Sequence, residues 1–166
     1  MLKQHANLIL AMTNYNKGDA LRIQHSIKVH DLAATIGTLE NLDEHTQFIL
    51  ETAAILHDVG IRKSIEKFGN YTWKSQEEEG PDIAERLMRE AGNYTEEEIQ
   101  RVKFLIAHHH TYENINGPDY QILLEADFLV NLFESKNREK YEAIVKRGLF
   151  KTETGKRLLS DMFGIS

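Results

Sequence analysis

Three places in the chain carry side chains that bind metals or move protons, although their surroundings are apolar. His25 shares a helical stripe with apolar residues, and the pair His57-Asp58 ends the most hydrophobic helical segment. Asp127 lies between apolar residues four positions before it and three after it. An unpaired carboxylate on a buried stripe is costly, so Asp127 should find a cation or several donors. The two imidazoles and two carboxylates form a ligand set that suits Mn, Fe, Zn, Co or Ni, and suits Mg less well.

Each of these residues also has an interpretation without a metal. His25 can be a hydrogen-bonded core histidine, and His57-Asp58 can be a helix-end pair whose imidazole lies near the last carbonyls. Asp127 can cap a helix or pair with a lysine. Neighbouring helical side chains diverge by about 100°, but their Cα atoms are only about 3.8 Å apart, so His57 and Asp58 can hold one ion between them. The set of four together favours the metal site.

A run of three histidines, His108-His109-His110, follows an apolar segment near the end of a predicted helix. One interpretation is a polar last turn, which the helix dipole favours when the histidines are protonated. The other is that one or two of them face the same cleft as the metal ligands.

The elements that must position these residues are predicted to be helices, because apolar residues recur at spacings of three and four. The strongest patterns cover residues 20–37, 43–58, 81–91, 96–108 and 119–134, and weaker ones cover 2–14, 137–147 and 155–163. We therefore expect one all-α domain over 1–166, a helical bundle with the metal site between its central helices.

Local signals agree with these boundaries. Asp43 and Thr95 are typical N-caps, and Thr95 with Glu98 fits a capping box. Three glycines, at 37, 60 and 92, follow predicted helix ends, where a left-handed residue is favoured. The stretch 69–80 combines glycines, aromatics and acidic residues, and is predicted to be a long connection; 114–118 is predicted to be a second loop.

Composition excludes several classes of function. The chain has 166 residues, no cysteine and a net charge of −6, which argues against disulfides, thiolate ligands and binding to nucleic-acid duplexes. Its longest apolar run, Leu8–Met12, is far too short to cross a bilayer, and its N-terminus has no signal-peptide pattern. We expect a cytoplasmic protein with no membrane partner; an oligomer is left open.

The segment Ala53-Ala-Ile-Leu-His57-Asp58-Val-Gly60 resembles the signature doublet of the HD-domain phosphohydrolase superfamily. The segments 16–19, 76–81 and 109–115 resemble those of small bacterial HD hydrolases. The segment 22–29 is similar to the family's first histidine helix, and 125–129 to its closing aspartate, so the resemblance covers about residues 20–133. The helices at 137–163 follow it. The resemblance implies a helical fold and a divalent metal. It also implies hydrolysis of a phosphoester or phosphoanhydride, usually in a nucleotide. The implied metal ligands are His25, His57, Asp58 and Asp127.

The same resemblance raises the question of a second ion. Two-metal relatives use a histidine doublet at the place of the triple histidine, together with another histidine before it. This chain has no histidine from 61 to 103, and Glu79 is the nearest oxygen substitute, within an acidic run more typical of a solvated turn. Glu79, His108 and His109 are therefore the candidates for a second metal or for substrate contact.

Basic side chains near the ligands could neutralise phosphate oxygens, or could be ordinary surface charges. The candidates are Lys17, Arg22, Lys28 and Lys63, with Arg62 beside the last of these. Arg22 is the best of them, because it lies three residues before His25 and can bind phosphate in a bidentate manner. Three histidines at polar positions, His5, His30 and His45, are assigned no role.

The expected mechanism is hydrolysis by a water whose pKa a bound metal lowers. Asp58 would bind the metal and orient or deprotonate that water, and Arg22 would neutralise the phosphate of a small phosphorylated substrate. His108 or His109 would stabilise the leaving oxygen or hold a second ion. The alternatives are a two-metal phosphodiesterase, an iron-dependent oxidation and a non-catalytic nucleotide-binding or regulatory module. The complete ligand set disfavours the module.

Overall fold

Nine α-helices make up the regular structure of residues 1–165, the part of the chain that the computed structural model describes, and this range contains no strand. The all-α prediction is therefore confirmed. The helices are α1 (Lys3–Tyr15), α2 (Ala20–Leu39), α3 (Glu44–Leu56), α4 (Gly60–Phe68), α5 (Trp73–Ala91), α6 (Glu96–His108), α7 (Pro118–Glu134), α8 (Arg138–Lys146) and α9 (Glu153–Phe163). None of the described helices combines the length and the apolar character needed to cross a membrane.

The centre of the bundle is α7, which packs against α2 and α3 and also meets α8 and α9. Every residue of α7 from Ile122 to Val130 is buried, so this helix has no solvent-facing side over that stretch. A helix that is apolar nearly all round belongs in a core. Because Asp127 lies in the middle of this stretch, its carboxylate is carried into the interior.

Most helix starts follow the predicted local signals. The Asp43 side chain accepts a hydrogen bond from the backbone N–H of Thr46, and Thr95 and Glu98 form the reciprocal capping box. Gly92 ends α5 with φ +78°. These features confirm the boundaries of α3, α6 and the end of α5.

Two glycines predicted to end helices do something else. Gly37 lies inside α2, where it gives space to the side chain of Gln47 on α3. Gly60 begins α4, a helix that the sequence analysis did not predict, and its Cα faces the backbone of Gly80 on α5. Both are positions of close helix approach rather than left-handed caps, and the prediction for them was wrong.

The predicted connection over 69–80 is also mostly wrong, because α5 starts at Trp73. Thr72 and Ser75 form a capping box that starts the helix eight residues before Pro81, which then lies inside it. Proline is typical of a first turn, so its position suggested a later start. The true connection between α4 and α5 is four residues long, 69–72.

The contact between α4 and α5 generates a stability prediction. A Cβ added at Gly60 would overlap the carbonyl oxygen of Gln76 and lie 2.7 Å from the amide nitrogen of Gly80, and backbone atoms cannot move aside. We expect Gly60→Ala to lower the free energy of unfolding by about 1–3 kcal/mol, measured by chemical denaturation.

Gly80→Ala is the matched control. Its added Cβ would lie 2.8 Å from the Cγ2 atom of Ile106, a side chain that can shift, and at an ordinary contact distance of 3.7 Å from the amide nitrogen of Gly60. Alanine also has a helix propensity about 1 kcal/mol better than glycine. The cost should be clearly smaller than at Gly60; equal costs would show that the close approach of α4 and α5 is not what constrains Gly60.

Candidate metal centre

The four predicted metal ligands come together from three separate places in the chain. His25 lies on α2, His57 directly follows α3, Asp58 lies in the turn before α4, and Asp127 lies on α7. The Nε2 atom of His25 is 3.2 Å from Nε2 of His57, 3.1 Å from Oδ1 of Asp127 and 3.4 Å from Oδ2 of Asp58. All four side chains are buried.

Hydrogen bonds on the outer side of the imidazoles determine which nitrogen faces the cluster. Nδ1 of His57 is 2.8 Å from the carbonyl oxygen of Ala54, which can only accept, so Nδ1 carries the hydrogen. Nδ1 of His25 is 2.7 Å from a carboxylate oxygen of Glu134. Both rings therefore direct Nε2 to the cluster, as outer partners commonly arrange for metal-binding histidines.

The carboxylates of Asp58 and Asp127 place negative charge in the buried cluster of ligands. Burial raises the pKa of Asp58 and of Asp127, but the neighbouring imidazoles outweigh it and hold both pKa values below the usual range. Burial lowers the pKa of His25, but hydrogen bonds to Asp127 and Glu134 raise it to about 10. The cluster thus holds two ionised carboxylates that need positive charge next to them.

The spacing of the donor atoms fits a shared ion. Ligands at about 2.0–2.2 Å from one metal lie about 3.0–3.5 Å from each other at octahedral or tetrahedral angles. Nε2 of His57 is 3.4 Å from Oδ1 of Asp127 and 3.6 Å from Oδ2 of Asp58. Ligand atoms of His25, His57 and Asp58 lie within 4.8 Å of one another, and Asp127 adjoins this group through the two imidazoles. Two imidazole nitrogens and two carboxylates at this spacing suit the transition metals of the predicted set.

A second group of ligand atoms shares Asp58 with the first. Nε2 of His109 is 3.5 Å from the other oxygen of Asp58, and ligand atoms of Asp58, His109 and His110 lie within 4.8 Å of one another. Nδ1 of His109 donates to the carbonyl oxygen of Ile106 at 2.7 Å. Its buried Nε2 has no hydrogen-bond partner within the described part of the chain. Burial lowers the pKa of His110 to about 3, which leaves that imidazole neutral.

Two of the predicted second-ion candidates lie away from this group. His108 turns its ring onto Phe104, with Nδ1 bonded to the Phe104 carbonyl oxygen, and Glu79 pairs with Lys67. The structure brings in His110 instead, together with Glu77, which accepts from the backbone N–H of His110 at 3.0 Å.

The signal for His109 was present in the sequence. His109 follows Leu105 by four positions and Ile106 by three, so it continues the buried stripe of α6. Glu134, by contrast, was missed, since nothing local to the end of α7 indicates a partner on α2.

A cleft of about 520 Å³ opens beside the ligands. Arg22 lines it, with Nη1 3.7 Å from Oδ2 of Asp58 and its guanidinium over the ring of Tyr71. Lys28 also lines it and pairs with Glu134. These are the two predicted phosphate-binding residues that the structure brings to the site.

The other basic candidates do not line this cleft. Lys17 borders a separate surface groove with Arg62, and Arg62 donates to the carbonyl oxygen of Tyr15. Lys63 is exposed on α4. Lys17, in the turn after α1, and Lys63, on α4, are not among the residues that line the cleft, so a phosphate contact from either stays a prediction.

Residues 22–150 match the family model of the HD domain. The chain belongs to the HD domain family. This range includes the complete order of ligands from His25 to Asp127, so membership of the HD-domain phosphohydrolase superfamily, which the resemblance predicted, is confirmed. No curated protein and no solved structure gives a significant match to the chain.

The geometry of this HD domain generates a prediction for metal retention. Asp127→Asn removes one of two buried charges, and loss of an outer partner alone costs about 10–100-fold in metal affinity. We expect Asp127→Asn to bind Mn²⁺ or Zn²⁺ about 100-fold more weakly than the unaltered chain, measured by calorimetry. Asp82→Asn is the control, because the Asp82 side chain is 90% exposed. Unchanged affinity in Asp127→Asn would contradict the assignment.

Proposed function

We propose that this HD domain is a metal-dependent phosphohydrolase that cleaves a phosphoester or phosphoanhydride of a nucleotide or another small phosphorylated metabolite. The observation that carries the proposal is the convergence of two imidazoles and two carboxylates, of which His25 and Asp58 line a cleft together with Arg22. A divalent ion bound there supplies Lewis-acid chemistry, acidifying water and polarising a phosphoryl oxygen.

Asp58 is suited to orient the attacking water. Its carboxylate has one oxygen near His25 and the other near His109, so it lies between the two ligand groups. Because its pKa is held low, Asp58 stays ionised and acts as a hydrogen-bond acceptor that directs the water.

Arg22 is suited to hold the phosphate. A guanidinium can donate two parallel hydrogen bonds to phosphoryl oxygens, and the buried Nε of Arg22 has no partner among the described residues. The centroid of the Tyr71 ring lies 5.2 Å from the Cζ atom of Arg22, and the ring limits the motion of the guanidinium. Lys28 adds a second positive charge at the same cleft.

Aromatic side chains favour a substrate with a flat group, such as a nucleobase. Tyr71, Phe133 and Tyr141 line the cleft, and Tyr71 and Phe133 are largely exposed to solvent. Exposed rings beside a phosphate-binding arginine can stack on a base. This arrangement supports nucleotides over simpler phosphate esters.

A two-metal phosphodiesterase is the second candidate function, and one observation favours it. Among the residues that the structure describes, the buried Nε2 of His109 has no hydrogen-bond partner, and it lies 3.5 Å from an oxygen of Asp58. An unpaired buried acceptor is costly, and a second ion held by Asp58, His109 and His110 would satisfy it.

Activity is predicted to depend on the first ligand group. His57→Ala should lower kcat/KM by at least about 100-fold, since it removes a ligand on which metal-assisted catalysis depends. The assay is a panel of nucleoside phosphates and phosphodiesters with Mn²⁺, Co²⁺, Ni²⁺ or Mg²⁺. His45→Ala is the control, because His45 is exposed. Tight nucleotide binding without turnover would instead indicate a regulatory module.

The value of kcat/KM is predicted to depend on Arg22. Arg22→Lys keeps the charge but loses the bidentate geometry, and one hydrogen bond to a charged group contributes about 1.5–3 kcal/mol. We expect kcat/KM to fall about 10–100-fold, with Lys63→Arg as the control on an exposed position. An equal effect of both variants would remove Arg22 from the proposed site.

The number of ions distinguishes the two candidate functions. For the two-metal enzyme, metal analysis should give a second ion at the group of Asp58, His109 and His110. His109→Gln should then lose one ion per chain, whereas His108→Gln should lose none, since His108 faces Phe104. Equal ion counts in His109→Gln and the unaltered chain would leave the one-metal hydrolase.

A further inference from the structure

A separate group of ligand-type side chains lies where α1, α2 and α3 pack together. His5 of α1 is fully buried, His30 of α2 is 5% exposed, and the side chain of Glu51 of α3 is 15% exposed. The group shares no residue with the metal centre. His5 and His30 occupy polar positions of the sequence pattern, which predicted no role for them, yet the helix packing buries both.

The three side chains direct one ligand atom each to a common point. Oε2 of Glu51 is 3.0 Å from Nδ1 of His5 and 3.2 Å from Nε2 of His30. One ligand atom from each of the three lies within 4.8 Å of the other two. These separations match those of nitrogen and oxygen ligands on one metal ion at about 2.0–2.2 Å.

The hydrogen bonds of His5 show what its Nδ1 atom offers. The Thr52 hydroxyl donates its single hydrogen to the carbonyl oxygen of Phe48 at 2.8 Å, so its oxygen accepts from Nε2 of His5 at 3.2 Å. A neutral His5 ring with its hydrogen on Nε2 turns the lone pair of Nδ1 towards the Glu51 carboxylate.

The contact between His5 and Glu51 is close but does not have hydrogen-bond geometry. Nδ1 of His5 is fully enclosed and has no hydrogen-bond partner among the described residues, in spite of the 3.0 Å approach. A hydrogen on Nδ1 would therefore lie on the side of the carboxylate but would not be aligned with its oxygen. An ion lying beside the line between the two atoms would satisfy both.

Glu51 is held in place from its other oxygen. Nε2 of Gln47 donates to Oε1 of Glu51 at 2.8 Å and also contacts the carbonyl oxygen of Ala34 at 3.2 Å. This leaves Oε2 to the two imidazoles. Thr52 on His5 and Gln47 on Glu51 are the kind of outer partners that orient ligands in established metal sites.

We propose that His5 Nδ1, His30 Nε2 and Glu51 Oε2 form a binding site for a zinc-like divalent ion, distinct from the metal centre. Two histidines and one glutamate are an established zinc ligand set, with the fourth position open to water. The bound ion ties α1 to α2 and α3, which contributes to the stability of the folded chain.

Zinc counting on the full-length chain tests the site. After equilibration with buffered Zn²⁺, metal analysis should give one zinc ion per chain fewer in Glu51→Gln than in the unaltered protein. Glu44→Gln is the matched control, because it makes the same change at an exposed position of the same helix. Its zinc count should not change.

Equal zinc counts in Glu51→Gln and the unaltered chain would overturn the proposal and leave an internal ion pair between His5 and Glu51. If Glu51→Gln does not fold, crystals of the unaltered protein soaked in Zn²⁺ decide the matter by anomalous scattering. A peak at about 2.0–2.2 Å from all three ligand atoms supports the site. Peaks at the metal centre alone, or no peak, contradict it. Neither measurement depends on hydrolytic activity, so the outcome is independent of the proposed function.

Discussion

Two ionised carboxylates buried in the core are the constraint on which this structure depends. Asp58 and Asp127 have lost most of their contact with water, and a charge in that environment is tolerated only next to opposite charge or several donors. The bundle supplies them by burying α7 on all sides and by bringing the imidazoles of His25 and His57 against it. The outer hydrogen bonds then turn Nε2 of each ring inward. The packing of α2, α3 and α7 thus produces a cavity whose chemistry calls for a cation.

Asp58 connects this cavity to the rest of the site. One of its oxygens faces His25 and the other faces His109, while Arg22 approaches from the cleft. A single carboxylate therefore links the first ligand group, the second group and the position of a phosphate. Its place in the turn between α3 and α4, rather than within either helix, lets it reach all three. The proposed chemistry follows from this shared position more than from any one ligand.

Periodicity and caps were sufficient to predict the bundle, and they singled out the four candidate ligands because each lies within an apolar helical segment or directly after one. They failed over 60–80, where α4 is short and Pro81 suggested a helix start rather than a helix interior. Local signals also did not predict which histidine at the end of α6 faces the site, because the rotation of the last helical turn decides between His108 and His110. The contact of Glu134 with His25 was missed for the same reason, because the two residues are 109 positions apart in the chain. Contacts between distant segments decide these positions, and a single sequence does not encode them as a pattern.

The backbone contact between Gly60 and Gly80 has a mechanical consequence. No side chain lies between α4 and α5 at this point, so a displacement of one helix cannot be accommodated by a change of side-chain conformation. A shift of α5 at this point would displace the backbone of Gly60. Asp58 lies two residues before Gly60 and would move with it. The same helix carries Trp73, whose ring stacks on His110 at 5.0 Å between centroids. A displacement of Trp73 at the start of α5 would therefore be transmitted through the backbone contact at Gly60 to the turn that carries Asp58.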